Sequence, residues 1–510
     1  MPGLEWTAGV CLHDVLARAA SATPAETALV SGETSYPFGV LHDRVRRAAA
    51  VVDELAAPGA RVAVVGDNHP AWVEAYYAVP AVGRVLVFGN HRLAAAELRS
   101  VIERSGATAV IGPRAELDRI IGDDPPPGVE RALDRDEWNA AIANASPREA
   151  TACDADAPAW LIYTSGTTGR SKGAALTHAN VLAAVRITNE CRIVPDTERY
   201  LLPFPLSHIA GYNVIHHHAR VRGVVLMPRF DAREFVETVA RHQISAASLA
   251  ATMLHSLLAL LDDEPDMLPK LGSLRLVAYG AAPMPVPLLR RGHELLGVDF
   301  TSGFGMTELA GNAVFLDIAA HRRGLAGDTA LLATAGRPGP GVDLRLADDG
   351  EILIRSPQVM AGYWDEPLAT AAAVVDGWLH TGDIARFDAD GNVAIVDRKK
   401  DVILTGGENV SSLEVEQVLY EVPEVGEVAV VGVPDAEWGE NVCAVVVARA
   451  GATVDPDALV AAARARLAGF KVPRHVVMVD ELPKNATGKI MKQELRAWLA
   501  AHPEHVGARR

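Results

Sequence analysis

Short runs of branched apolar residues alternate with helix-period stretches through most of this chain. Arg61-Val62-Ala63-Val64-Val65-Gly66 reads as a strand closed by glycine. A helical stretch follows over about Pro70 to Val82, and Val85-Leu86-Val87-Phe88 reads as a second buried strand. The alternation returns at Thr108–Ile111, Ala159–Tyr163, Gly223–Met227, Ala246–Leu249 and Leu274–Tyr279. Strand, helix, strand in series predicts α/β layers with largely parallel sheets.

The period changes after about Gly341. Val342–Leu346 alternates with period two and turns at Asp348-Asp349-Gly350 into Glu351–Ile354. A second hairpin pattern runs Ile384–Phe387, Asp388–Gly391, Val393–Val396. These predict an antiparallel β-subdomain. The charged knot Asp397-Arg398-Lys399-Lys400-Asp401 comes next. Beyond it the pattern is helix 413–419, strands 428–433 and 442–447, helix 456–467, strand 475–479 and helix 492–500. The expectation is a large N-terminal domain and a small C-terminal α+β domain, joined at the knot.

A length of 510 residues suffices for several large cores. The net charge of −16 argues against general binding to nucleic acid or an anionic membrane. No uncharged apolar run reaches membrane-spanning length. No signal peptide is read at Met1–Trp6, and Ala508-Arg509-Arg510 is no peroxisomal address, so a cytoplasmic location is expected. Cys11, Cys153, Cys191 and Cys443 stand far apart without metal-ligand spacing and are expected to be isolated reduced thiols.

The sharpest local signal is Tyr163-Thr164-Ser165-Gly166-Thr167-Thr168-Gly169-Arg170-Ser171-Lys172-Gly173. A strand runs into it, and a helix pattern starts near Thr177. Glycines let backbone amides converge on an anion, hydroxyls add donors and Lys172 adds charge, so the loop suits phosphate. It is not a Walker A loop, because its glycines are spaced differently.

From this loop onward the chain resembles the adenylate-forming superfamily of acyl-CoA synthetases, nonribosomal-peptide adenylation domains and beetle luciferases. The motifs follow in family order over nearly the whole chain. Within them, the resemblance implies that Thr164 to Gly169 and Lys172 hold ATP phosphates. Gly280-Ala281-Ala282-Pro283 would line the adenine site. Thr301-Ser302-Gly303-Phe304-Gly305-Met306-Thr307-Glu308 resembles the second nucleotide motif, with Phe304 where Tyr is usual. Thr307 would meet the α-phosphate. Glu308, with Thr164, would hold Mg²⁺, a hard cation suited to oxygen ligands. Asp383 in Gly377–Asp383 would take the ribose hydroxyls, with Arg398 as second contact. The pivot falls on Lys400, which implies domains of 1–397 and 401–510 around a hinge at 398–400. Gly406, Gly407 and Glu408 would form the thiol channel. Lys489, in Leu482–Ile490, would be the catalytic lysine bridging substrate carboxylate and ATP.

Pro203–Gly211 matches the acyl-site motif. His208 would sit by the substrate carboxylate, and His208, Gly211, Tyr212, Gly280 and Gly303 would line the acyl pocket. No Asp stands between Pro203 and Asn213 to pair with a substrate ammonium, so a non-amino acid is favoured. His216-His217-His218 on a helix face three ways and cannot chelate one ion. Lys471 is read only as a candidate phosphate contact. The expectation is an AMP-forming ligase using ATP, Mg²⁺ and a carboxylic acid, with coenzyme A as acceptor. The alternatives are an acyl carrier protein as acceptor, a luciferase-like oxygenase, and a non-catalytic acyl-nucleotide binder.

Overall fold

A computed structural model describes residues 11–122, 124–151, 154–164, 171–192, 199–280, 284–435, 437–485 and 489–506. Among them, four sheets carry the architecture. The fold is mixed α/β, with a large N-terminal part and a small C-terminal one.

The first large sheet has seven strands. Its centre is parallel: Pro158–Thr164 beside Val85–Gly89, then Arg61–Val65, Ala107–Gly112 and Arg131–Asp134. Both faces are covered, so these strands are almost wholly apolar. The second large sheet has nine strands, with Leu276–Gly280 parallel to Asp299–Met306 near its middle. Helix Pro70–Ala81 is buried along its whole length. Its Tyr76 packs on Phe88 and Trp160 within one continuous core that joins both sheets.

The hairpin patterns appear as predicted. Asp343–Leu346 pairs with Glu351–Arg355, and Trp378–Phe387 pairs with Val393–Arg398. The fourth sheet is built from Ile403–Thr405, Glu408–Val410, Val425–Asp435, Gly439–Ala448 and His475–Met478. Its two faces carry separate clusters, one under Ser412–Leu419 and Pro456–Arg466, the other under Lys492–Ala501.

Lys172–Thr177 is a strand antiparallel to Pro158–Thr164, with Thr164 opposite Lys172, and helix His178–Cys191 follows it, in keeping with the helix start read near Thr177. One expectation needs correction. Cys11 is disulfide-bonded, whereas Cys191 and Cys443 are free. Spacing along the chain could not show this. The fold carries the start of helix Leu12–Ala22 to His178, whose Nδ1 accepts from the Leu12 amide at 3.1 Å. No described helix is long and apolar enough to cross a membrane.

Candidate active site

Several of the expected site residues, from five separate stretches of chain, line one cavity. Tyr279, Gly280, Ser302, Gly303, Phe304 and Gly305 form one side of it. Asp383, Arg398 and Lys489 form another. Ser165 to Gly169 and Ala281, Ala282 and Pro283 lie outside the described residues.

Close approach explains the glycines. A Cβ on Gly280 would stand 2.7 Å from the carbonyl oxygen of Gly303. On Gly305 it would meet the Gly311 carbonyl oxygen at 1.9 Å. The register shifts between Phe304 and Gly305, so the strand bulges where it meets the cavity. Met306 ends that strand, and Thr307 opens a tight turn Thr307–Leu309. Thr307 and Glu308 are both buried. The Glu308 Oε1 accepts from the Tyr363 hydroxyl at 2.8 Å and from Thr164 Oγ1 at 3.4 Å. Tyr363 was not expected from sequence. Its burial, and then the neighbouring Glu308 charge, raise its phenol above the usual range. Lys172 projects its ammonium over the Tyr363 ring, 5.1 Å from the centroid. Thus Thr164, Lys172, Glu308 and Tyr363 form one cluster at the end of the hairpin of Pro158–Thr164 and Lys172–Thr177.

Asp383 and Arg398 face each other across an antiparallel pair. The Arg398 Nε lies 2.8 Å from Asp383 Oδ1. The other carboxylate oxygen, Oδ2, is buried without a protein partner. Burial raises the Asp383 pKa, against the pull of Arg398 and Lys489. An orphaned buried acceptor fits a hydroxyl donor, as ribose supplies.

Lys489 stands beside this pair. The segment carrying it is pinned by a bridge between Lys484 and Ile490. The Asn485 side chain accepts from the Lys489 amide at 2.9 Å, and the Asn485 amide donates to the Lys489 carbonyl at 2.8 Å. Burial first, then Arg398, push the Lys489 ammonium down to about 8, while Asp383 opposes them. His208 is close enough to be influenced in turn. Burial, then Lys489, lower its imidazole to about 4. Its Nδ1 accepts from the Ala210 amide at 3.2 Å, so the neutral ring carries its proton on Nε2.

Gly211 follows in the same tight turn, where a Cβ would lie 2.0 Å from the Tyr76 hydroxyl. Tyr212 begins the next helix. Its hydroxyl meets Thr188 Oγ1 at 3.2 Å and accepts from Asn312 at 3.0 Å. Asn312, also unforeseen, fills the space beside Gly303.

The remaining expected residues lie elsewhere. Gly406, Gly407 and Glu408 form the exposed turn between Ile403–Thr405 and Glu408–Val410, and none of them lines the cavity. Gly406 has φ of +60°, and a Cβ there would come within 2.5 Å of the Trp438 ring. Lys400 is exposed in the turn after Arg398. Lys471 is not a free cation: its Nζ lies 2.7 Å from Glu414. Among the described residues no group of His, Cys, Asp or Glu is arranged to hold a metal.

A second network was not legible beforehand. The Asp397 Oδ2 accepts from both the amide and the hydroxyl of Ser412, each at 2.6 Å. Lys492 donates to the Ser412 hydroxyl at 2.5 Å and pairs with Glu416 at 2.7 Å. This ties the strand bearing Arg398 to the helix that begins three residues after Lys489.

The AMP-binding enzyme model matches residues 16–364, and the AMP-binding enzyme C-terminal domain model matches residues 414–489. The chain belongs to the AMP-binding enzyme family, the adenylate-forming enzymes that include acyl-CoA synthetases. It is 37% identical to a feruloyl-CoA synthase of an Amycolatopsis species, over 94% of this chain and 97% of that one. It is 33% identical to a long-chain-fatty-acid–CoA ligase of Mycobacterium tuberculosis, over 96% and 98% of the two chains. The solved structure of an anthranilate-CoA ligase in complex with anthranoyl-AMP superposes with a TM-score of 0.90. That match covers 98% of this chain and 100% of the other, at 25% identity.

Proposed function

We propose that this enzyme activates a non-amino carboxylic acid with ATP as the acyl-adenylate and then transfers the acyl group to coenzyme A. The observation that carries the reading is the placement of Lys489 beside the Asp383–Arg398 pair, with Asp383 Oδ2 left for a ribose hydroxyl. The relatives act on chemically different acids, an aryl-propenoic one and a long-chain one by name, so they support the acid class without naming the acid.

In this reading Gly280, Ser302, Gly303, Phe304 and Gly305 hold the adenine, and Asp383 with Arg398 holds the ribose. The hairpin from Thr164 to Lys172 receives the phosphates. Mg²⁺ fits beside Glu308, where carboxylate and hydroxyl oxygens already converge, and would supply charge neutralisation at the phosphates. The neutral His208 offers Nε2–H to the substrate carboxylate. As that carboxylate attacks the α-phosphorus, Thr307 and the Lys489 ammonium meet the growing negative charge. Thioester formation would follow rotation about residues 398–400, between units 1–397 and 401–510. That rotation replaces Lys489 with the Gly406-Gly407-Glu408 turn.

The test is ATP–pyrophosphate exchange with a panel of free acids, followed by thioester assay with coenzyme A and, separately, with a holo acyl carrier protein. Exchange with one or more acids and thioester on coenzyme A is the expected result. Thioester on the carrier protein alone would reassign the acceptor. No exchange with any acid would remove the adenylation reading and favour a binder.

A further inference from the structure

The His216-His217-His218 run is unequal in a way that the adenylation chemistry does not use. All three side chains are buried. His217 Nδ1 meets the Asn213 carbonyl oxygen at 2.8 Å, and its ring stacks on Tyr200. His218 meets the Tyr77 hydroxyl at 2.7 Å and the Ala28 carbonyl oxygen at 3.0 Å. His216 is 0% exposed, and neither of its ring nitrogens has a partner.

Beside it lies a second anomaly. Arg192 caps the C-terminus of helix His178–Cys191 and is only 6% exposed. Its one side-chain hydrogen bond is a long one, 3.4 Å to Asn213 Oδ1, and its Nε has none. Among the described residues no carboxylate pairs with it. Burying a guanidinium without an acid, next to an imidazole without a partner, is costly. Groups left this way in a folded core call for a ligand or a function.

Their position says which ligand. Thr188 and Arg192 are one turn apart at the end of one helix, and Tyr212 and His216 are one turn apart on the next. The first rung, Thr188 with Tyr212, is satisfied by Asn312 and reaches the wall of the acyl site at Gly303. The second rung, Arg192 with His216, lies one turn further from that wall. Burial first, then His217, Arg192 and Arg220, keep the His216 ring neutral, so it has one N–H to donate. Both members of the rung therefore ask for an acceptor oxygen.

We propose that Arg192 and His216 form a polar subsite at the far end of the acyl pocket. It selects an acid that carries an acceptor oxygen, as a second carboxylate or a carbonyl, away from the reacting carboxylate. This rests on the acid-activating reading above.

The experiment is pyrophosphate exchange by the full-length enzyme with acids of equal chain length, unsubstituted, ω-oxo or ω-carboxylated. Arg192→Leu and His216→Phe are measured alongside, with melting temperatures. Wild type should prefer an oxygenated acid by about tenfold or more in kcat/KM, because a site built to bond an oxygen rejects the analogue lacking it. Both variants should lose that preference while the unsubstituted acid is used about as well as before. Preference for the ω-carboxylate over the ω-oxo acid would identify a second carboxylate as the group bound, and the reverse order a carbonyl. Equal use of all three by wild type overturns the subsite, as does a preference retained in both variants. Should Arg192→Leu not fold, His216→Phe decides by the same ratio. Activity on none of the acids would instead overturn the adenylation reading, and the subsite with it.

Discussion

Two glycine-containing loops of the C-terminal unit stand in opposite situations. The segment around Lys489 is pinned by Asn485 and the Lys484–Ile490 bridge, and its lysine lines the same cavity as Asp383 and Arg398. The turn at Gly406, Gly407 and Glu408 is exposed and outside the cavity. On the function proposed above, the arrangement shown is the one for adenylation, and the second loop would act after a rotation about residues 398–400.

The comparison can be broken by changing each loop in turn. The largest effect is expected from Lys489→Ala. Pyrophosphate exchange should fall about a hundred- to a thousandfold, the range for losing one preorganised charge donor. Conversion of supplied acyl-AMP to thioester should survive, and equal loss of both steps would make Lys489 structural. Lys400→Pro fixes φ in the turn and should act in the opposite sense. Thioester formation should fall by about tenfold or more, because domain closure gates such steps, while exchange persists. If single-turnover assays show the two steps falling together, rotation about this turn is wrong.

Gly406→Ala should slow the thioester step alone, by roughly tenfold. The left-handed φ costs about 1–2 kcal/mol for a residue with a Cβ, and the Trp438 ring must shift as well. Ser412→Ala should slow exchange by a smaller factor, about tenfold or less, by loosening the Asp397–Ser412–Lys492 tie. A thioester rate that falls as much as exchange would show the tie to be general scaffolding.

The pH dependence sharpens the same contrast. On the proposed function Lys489 acts as a cation, and burial lowers its ammonium to about 8. Its charge is present below that value and lost above it, so kcat/KM for exchange should decline as pH rises through about 8. Lys489→Arg should keep a flat alkaline limb, and a wild-type profile flat to pH 10 would contradict the shifted lysine.

The α/β layers, both hairpins and the elements beyond residue 411 were legible because each rests on local period. Gly280, Gly303, Asp383, Arg398 and Lys489, which line one cavity, could be singled out beforehand because glycine and charge stand at fixed spacing. What escaped depends on distant partners. Tyr363 meets Glu308 across 55 positions, and Asp397 meets Ser412 across 15. Neither residue is unusual for its own segment. The strand Lys172–Thr177 was hidden by the helix signal at its end. Cys11 looked isolated because only the fold brings its neighbourhood to His178. His216 could be excluded as a chelator from helical geometry, yet nothing in the sequence separates it from the two satisfied histidines beside it.

The placement of Lys489 next to Arg398 has a temporal consequence. The neighbouring Arg398 cation repels that of Lys489, which adds to burial in making the lysine release its proton early. A polyanion arriving between them turns that repulsion into attraction, and its departure restores it. Loss of pyrophosphate should thus loosen the grip on the C-terminal unit at the moment when the adenylate is complete. A distance probe across residues 398–400 should report opening on the same timescale as pyrophosphate release. The first product would then act as the molecule's own timer.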